Sequence, residues 1–273
     1  MELLIALIVG LAAGLHTSTW GMYKDAPYEG FTWPRYFRST IISILASGAV
    51  YLVTKMDLTQ ASNMVVLYGF TYVIERAIME YYKTFLREQD QSKYFIPMQF
   101  SIMGNVVQSR AARLSAGAAY FVGVALTAYG IAYLQSTSFH PSGWIIVLTI
   151  GSIGGWISAF GGAWKDAPKE GFEILKFFRS PLIALSYAIM LASFTDNYLF
   201  IAFGGLGYTV GTIETYKTFF FPSKPRGKFA GKEIQYPEMM QRRNYFVPVF
   251  VAIWLAVITT IIIAFLHPHH GLI

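Results

Sequence analysis

The sequence predicts an all-α integral membrane protein with eight transmembrane helices, arranged as two tandem, parallel-oriented four-helix repeats. Three observations carry this reading. The 273 residues are 55% hydrophobic and only 13% charged, about half the charged share of an average soluble domain. The apolar residues gather in runs of the length a bilayer demands, about 17–25 residues each. A stretch of the first half also returns in the second.

In chain order the spans are Glu2–Gly21, Ser39–Thr54, Leu58–Tyr81, Leu114–Gln135, Gly143–Trp164, Ser180–Thr195, Asn197–Thr218 and Tyr245–Leu266. The first opens on Glu2 rather than on a basic segment, and its end recurs mid-chain. It is therefore read as a retained helix and not as a cleaved signal peptide. The second and sixth are short, at 16 residues each, or about 24 Å of helix. Short corresponding spans point to binding sites in transporters, although Arg38 and Arg179 snorkelling to headgroups would serve equally well. The third carries Glu75 and Arg76, which have no counterparts in the second half. His16 lies within the first. The Gly-rich segments Gly151–Gly155 and Gly204–Gly207 suit close helix packing or a narrow pore.

Charge sets the orientation. Of 21 Lys and Arg, only Lys55 falls on one side. The others occupy the connectors Tyr23–Arg38, Lys83–Arg113, Lys165–Arg179 and Phe219–Asn244 or the span ends beside them. By the positive-inside rule these four connectors face the cytoplasm and both termini face outward, as in a plasma-membrane protein. The net charge of +6 is thereby accounted for without nucleic acid as a partner, and no recognition motif accompanies it. The absence of cysteine excludes disulfides, thiolate metal sites and Cys nucleophiles.

The repeats divide at 1–138 and 139–273. Gly21-Met-Tyr-Lys-Asp-Ala-Pro-Tyr-Glu-Gly-Phe31 matches Gly162-Ala-Trp-Lys-Asp-Ala-Pro-Lys-Glu-Gly-Phe172 at eight of eleven positions. Phe37-Arg38-Ser39 returns as Phe178-Arg179-Ser180, and Glu80-Tyr-Tyr-Lys-Thr-Phe85 as Glu214-Thr-Tyr-Lys-Thr-Phe219. Four helices per repeat is an even number, so the halves share one orientation, with a pseudo-two-fold axis along the membrane normal.

The polar residues present in both halves are the candidate site. Lys24, Arg38, Lys83, Lys165, Arg179 and Lys217 are candidate phosphate ligands, because ammonium and guanidinium groups match phosphate. Asp25, Glu29, Glu80, Asp166, Glu170 and Glu214 are candidate ligands of Mg²⁺, a hard cation that takes carboxylate oxygens and accompanies phosphates. Asp-x-x-x-Glu places both acids on one face of a helix. Structural roles compete with these. Asp25 before Ala26-Pro27 reads as a helix N-cap with proline in the first turn, as does Ser180-Pro181. Glu80–Lys83 and Glu214–Lys217 read as i,i+3 pairs. Trp20, Tyr23, Trp33, Tyr36, Trp164 and Phe178 read as an interfacial aromatic belt, and His267–His270 as a polar tail leaving the membrane. The paired Asp segments are similar in arrangement to those of intramembrane prenyltransferases, which hold Mg²⁺–diphosphate between two such motifs. They lack that family's Asn and multiple Asp residues. The Lys-Asp pair resembles membrane cytidylyltransferases without the Gly-rich, double-Asp remainder, so no family is assigned.

Three functions follow as expectations. The first is a duplicated cytoplasmic-interface site that binds a phosphorylated lipid or activated headgroup, with Mg²⁺-assisted group transfer as its chemistry. The second is a solute or ion pathway between the repeats. The third is a non-catalytic subunit that docks a cytoplasmic partner. Membrane lipids are partners in all three, and a membrane complex or homo-oligomer is compatible with each.

Overall fold

The structure is a computed structural model, and it describes every residue except 140 and 223–226. His140, just after the predicted division between the repeats, lies outside the described residues. The chain is helical with one two-stranded hairpin. In order the elements are α1 (Glu2–Glu29), α2 (Trp33–Thr54), α3 (Ala61–Tyr81) with a π turn at Tyr82–Leu86, β1 (Ser101–Ile102), β2 (Asn105–Val106) and α4 (Arg110–Ser136). There follow α5 (Gly143–Ile150), α6 (Ile153–Glu170), α7 (Ile174–Ala192), α8 (Tyr198–Phe219), the short α9 (Met239–Arg242) and α10 (Val247–Leu266).

Helix lies at each of the eight expected places. Among the described residues, six stretches are long and apolar enough to cross a membrane: α1, α2, α4, α5 with α6, α7, and α9 with α10. The other two, α3 and α8, have the length, 21 and 22 residues, but are rich in Gly, Thr, Tyr and charge. Packing explains their composition. They lie against one another in the middle of the bundle, where neither needs an apolar face for lipid. A Cβ on Gly207 would strike the Gly69 carbonyl, and one on Gly69 would strike the Gly204 carbonyl and the Tyr208 ring. The Tyr208 hydroxyl donates to the Val65 carbonyl at 2.9 Å. On either side of this pair, α10 packs on α3 and α4 on α8.

The pairs α1–α2 and α6–α7 meet through matching residues. A Cβ on Gly14 would run into the Thr40 Cα and the Ser39 carbonyl, and one on Gly155 into the Pro181 Cα and the Ser180 carbonyl. All three correspondences are shifts of 141 residues. Both first helices end alike: Gly30 (φ 71°) and Gly171 (φ 83°) are in the left-handed region, and their N–H groups donate to Ala26 and Ala167.

Several expectations are corrected. The second and seventh helices start before the apolar run does and reach 22 and 19 residues, so no short span marks a site. Pro27 and Pro168 lie in the last turns of α1 and α6 rather than in a first turn, and Pro181 lies inside α7. Neither Asp25 nor Ser180 is an N-cap. Half of the expected aromatic belt is internal, since Trp20, Tyr23 and Tyr36 are buried while Trp33, Trp164 and Phe178 are exposed. Both Gly-rich segments are places of close packing and not of an opening. The C-terminal tail turns back, with Leu272 N–H donating to the Ala192 carbonyl at 2.7 Å, and His269 lies against the Phe194 and Phe265 rings.

The α3–α8 contact yields a test. Gly207→Ala forces the two helices apart, and overpacking of this kind costs about 1–3 kcal/mol. The melting temperature in detergent should fall by several degrees. Gly123→Ala in α4, whose Cβ meets nothing within 4 Å, should leave it unchanged or slightly raised, because alanine favours helix.

Candidate functional site

The C-terminal ends of α1, α3, α6 and α8 converge, and their charges interlock across the two halves. Lys24 of α1 reaches Glu214 of α8 at 3.3 Å. Lys165 of α6 reaches Glu80 of α3 at 4.0 Å. The matching sequence segments align these two contacts, lysine with lysine and glutamate with glutamate. Each glutamate also holds the lysine one turn on, Glu80–Lys83 at 3.2 Å and Glu214–Lys217 at 3.7 Å, as the i,i+3 spacing predicts. Lys24 sits 22 residues beyond the start of α1. That distance is about 33 Å of helix, comparable to the roughly 30 Å thickness of a bilayer's hydrocarbon core.

The Asp-x-x-x-Glu pairs do share a helical face, and each clamps a lysine. Lys228 lies 2.7 Å from Asp25 and 3.8 Å from Glu29. Lys176 lies 3.5 Å from Asp166 and 2.6 Å from Glu170. Glu29 also accepts from the Tyr94 hydroxyl. Burial and that glutamate hold the Tyr94 hydroxyl above the usual phenol range. Among the described residues no three carboxylates or imidazoles converge as a metal would require. The cation facing each of the six candidate carboxylates is a lysine or arginine.

Of the six candidate phosphate ligands, Lys24, Lys83, Lys165 and Lys217 belong to this cluster. Arg38 and Arg179, 141 residues apart, do not. Both lack an ion pair and a hydrogen bond among the described residues, and the Nε of each is buried without a partner. Their surroundings differ. Arg179 and Lys217 line two adjoining cavities, an outer one of about 840 Å³ and an inner one of about 130 Å³ between α6, α7 and α8. The corresponding space in the first half is filled by the segment before α10. Tyr236 covers Gly30, Gln235 and Tyr236 N–H groups donate to the Pro27 carbonyl, and Met239 packs with Met22, Ala26 and Tyr36. A Cβ on Gly171, the counterpart of Gly30, would meet nothing within 4 Å.

Other residues follow from the fold. Glu75 and Arg76 face inward rather than toward headgroups, with Glu75 fully buried and Arg76 placed over the Trp20 ring. His16 is enclosed by Phe250, Trp254 and Tyr72, and its Nδ1 lies 2.9 Å from the Tyr72 hydroxyl. Lys228 and Arg243, the latter bonded to the Tyr23 and Pro222 carbonyls, were not legible: nothing in a basic connector singles them out. Lys176 was within reach, because a 141-residue shift aligns it with Arg35, which pairs with Glu29 at 3.5 Å.

No protein-family model, curated protein or solved structure matches the chain.

Burial pulls Lys83, in the turn after α3, down to about 8 from lysine's ordinary 10.5 despite Glu80 beside it. A lysine whose folded value lies below its unfolded value carries a stability cost while protonated. Above pH 8 the unfolded chain holds the proton more firmly, so stability rises between pH 8 and 10.5. Thermal melts across that window should show the rise, and Lys83→Met should flatten it. Separately, Lys24→Met leaves Glu214 short of a partner and should cost about 2 kcal/mol, typical of a charged hydrogen bond. The exchange Lys24→Glu with Glu214→Lys should recover most of the loss in the same melts.

Proposed function

We propose that this chain is a multi-pass membrane protein of two tandem four-helix repeats that binds a phosphorylated headgroup at the cytoplasmic interface. The site is the cavity beside α6, α7 and α8. The observation that carries the reading is Arg179: a part-buried guanidinium, lining both cavities next to Lys217, with none of its donors engaged. Arginine presents five N–H donors in a rigid fork suited to phosphate oxygens, and leaving them idle in a half-desolvated position is costly. A phosphate would satisfy them. Glu214, shared between Lys24 and Lys217, leaves that end of the cavity positive.

The repeat organisation is supported by the glycine contacts of α1–α2 and α6–α7, by the like ends at Gly30 and Gly171, and by the reciprocal lysine–glutamate pairs. In this reading α3 and α8 are also spans, shielded from lipid by the other helices. The two halves have diverged in use, one cavity open and its counterpart plugged by the chain's own connector. The plasma membrane, with the charged end cytoplasmic, is the location that the basic residues favour. Mg²⁺ remains a proposal in one form: an ion brought in with the phosphate, with Asp166 and Glu170 nearest to it once Lys176 moves aside. A pathway between the repeats has less support, because glycines close the α3–α8 seam.

The test compares two arginines that the duplication makes equivalent. In native mass spectrometry of the detergent-solubilised protein, Arg179→Gln should weaken retention of a phosphate-bearing lipid about tenfold or more, the loss expected of a charged hydrogen bond. Arg38→Gln should change it less than twofold. Equal effects from both substitutions, or none from either, would sink the reading. Repeating the titration with and without Mg²⁺ decides whether the metal takes part.

A further inference from the structure

The outer cavity holds more than cations, and its unengaged charges are of both signs. Six basic and four acidic residues line it, but most are engaged. Lys176 holds Asp166 and Glu170. Lys24 and Lys217 share Glu214. Lys232 donates to the Ser92 carbonyl, and Arg243 to the Tyr23 and Pro222 carbonyls. Among the described residues, the lining charges left without an ion pair or side-chain hydrogen bond are Arg179, Glu173 and Glu233.

A second observation points to a ligand. Thr218 also lines this cavity. It is 5% exposed, and its hydroxyl is buried without a hydrogen-bond partner. A hydroxyl donates to phosphate as readily as to a carbonyl, so Arg179, Lys217 and, once its side chain turns, Thr218 are the lining groups with donors left for an anion. Glu173 and Glu233 are exposed at the rim. A ligand carrying only negative charge would bring its second charge toward two unpaired carboxylates. A ligand carrying an ammonium beyond its phosphate would meet attraction at both ends.

The cavity also has an apolar exit. Leu175 lines it and is 78% exposed, and Ile234 lines it and is 41% exposed. Leu175 stands near the start of α7, one of the six helices apolar enough to cross a membrane, so an acyl chain leaving the cavity there would enter the bilayer. The volume of about 840 Å³ exceeds what a small headgroup needs, and falls within the usual range of ligand pockets, about 300–1,000 Å³.

We infer that the ligand is zwitterionic, a phosphodiester bearing an ammonium group, as in an aminoalcohol phospholipid. Phosphate binds at Arg179, Lys217 and Thr218, ammonium at Glu173 and Glu233, and the acyl chains leave past Leu175. This rests on the phosphate site proposed above and specifies its ligand.

The experiment titrates the full-length protein in detergent with four probes: a short-chain phosphatidylethanolamine, a phosphatidylglycerol of the same chain length, O-phosphoethanolamine and inorganic phosphate. Dissociation constants are read by native mass spectrometry on wild type, Arg179→Gln and the pair Glu173→Gln/Glu233→Gln. The ethanolamine lipid should bind about tenfold tighter than the glycerol lipid, as one well-placed charged contact at each end would give. The glutamine pair should abolish that preference while leaving the glycerol lipid bound at least as well. Arg179→Gln should weaken both lipids. Both glutamates are at the surface, so the pair is expected to fold, and a thermal melt checks this.

A glycerol lipid that binds equally or better, still dependent on Arg179, overturns the zwitterion and leaves the phosphate site standing. Lipid binding indifferent to Arg179 overturns both. O-Phosphoethanolamine binding as tightly as its lipid assigns the site to a soluble ester and overturns the exit past Leu175. Inorganic phosphate as tight as any probe reduces the site to anion binding alone and overturns the ammonium subsite.

Discussion

The close approach of α3 and α8 is the contact from which the rest of the structure follows. Gly69 and Gly207 bring the two backbones together at a distance that no side chain would allow. Once together, these helices shield one another and are shielded by α1, α2, α7 and α10. Their Thr, Tyr and charged residues are then surrounded by protein and not by lipid, where unsatisfied polar groups cost several kcal/mol. The approach also carries the helix ends to one place, so that Lys24 meets Glu214 and Lys165 meets Glu80. Without it these charges would face headgroups singly. With it, each lysine finds its carboxylate in the opposite half.

Reciprocal pairing of this kind holds the charged end closed, and Arg179 stands outside it. In the first half the corresponding place is occupied by Tyr236, Met239 and their neighbours. In the second half no part of the chain takes their place. The surface beside α1 is thus covered by the segment before α10, while the surface beside α6, α7 and α8 keeps a cavity lined by Arg179. The polar interior of the first half, with Glu75, Arg76, His16 and Tyr72 buried, accompanies the covered surface. The positions that align with His16, Tyr72, Glu75 and Arg76 are Ile157 on α6 and Leu206, Thr209 and Val210 on α8, none of them charged.

Much of this architecture was legible in the linear chain, because the physics of membranes is local in sequence. A run of apolar residues long enough to cross a bilayer is helical wherever it sits, since only a helix satisfies its own backbone there. Helix accordingly appears at every place where such a run was read. The helix ends were less legible. Hydropathy marks where lipid contact stops, and α1, α2 and α7 continue past that point, because Lys24, Arg35 and Lys176 find ion-pair partners that keep their turns ordered. Proline misled for a related reason. Pro27 and Pro168 are tolerated in a last turn because tertiary contacts and the following glycines complete it.

The residue types of the site were also determined by the sequence alone. Six charged residues of the first half return at fixed offsets in the second, and all twelve lie at the charged end or beside its cavities. Their partners were decided only by the tertiary structure. Which lysine neutralises which glutamate depends on which helix ends meet, and that is set by glycine contacts far along the chain. The same holds for the difference between Arg38 and Arg179, which stand in the same three-residue sequence, Phe-Arg-Ser. Only Arg179 lines the cavities, and whether a cavity exists beside α1 or α6 is a question of which distant segment packs there. Local sequence carries no information on that, because the segment that packs over Gly30 and Pro27 in the first half lies about two hundred residues further along the chain.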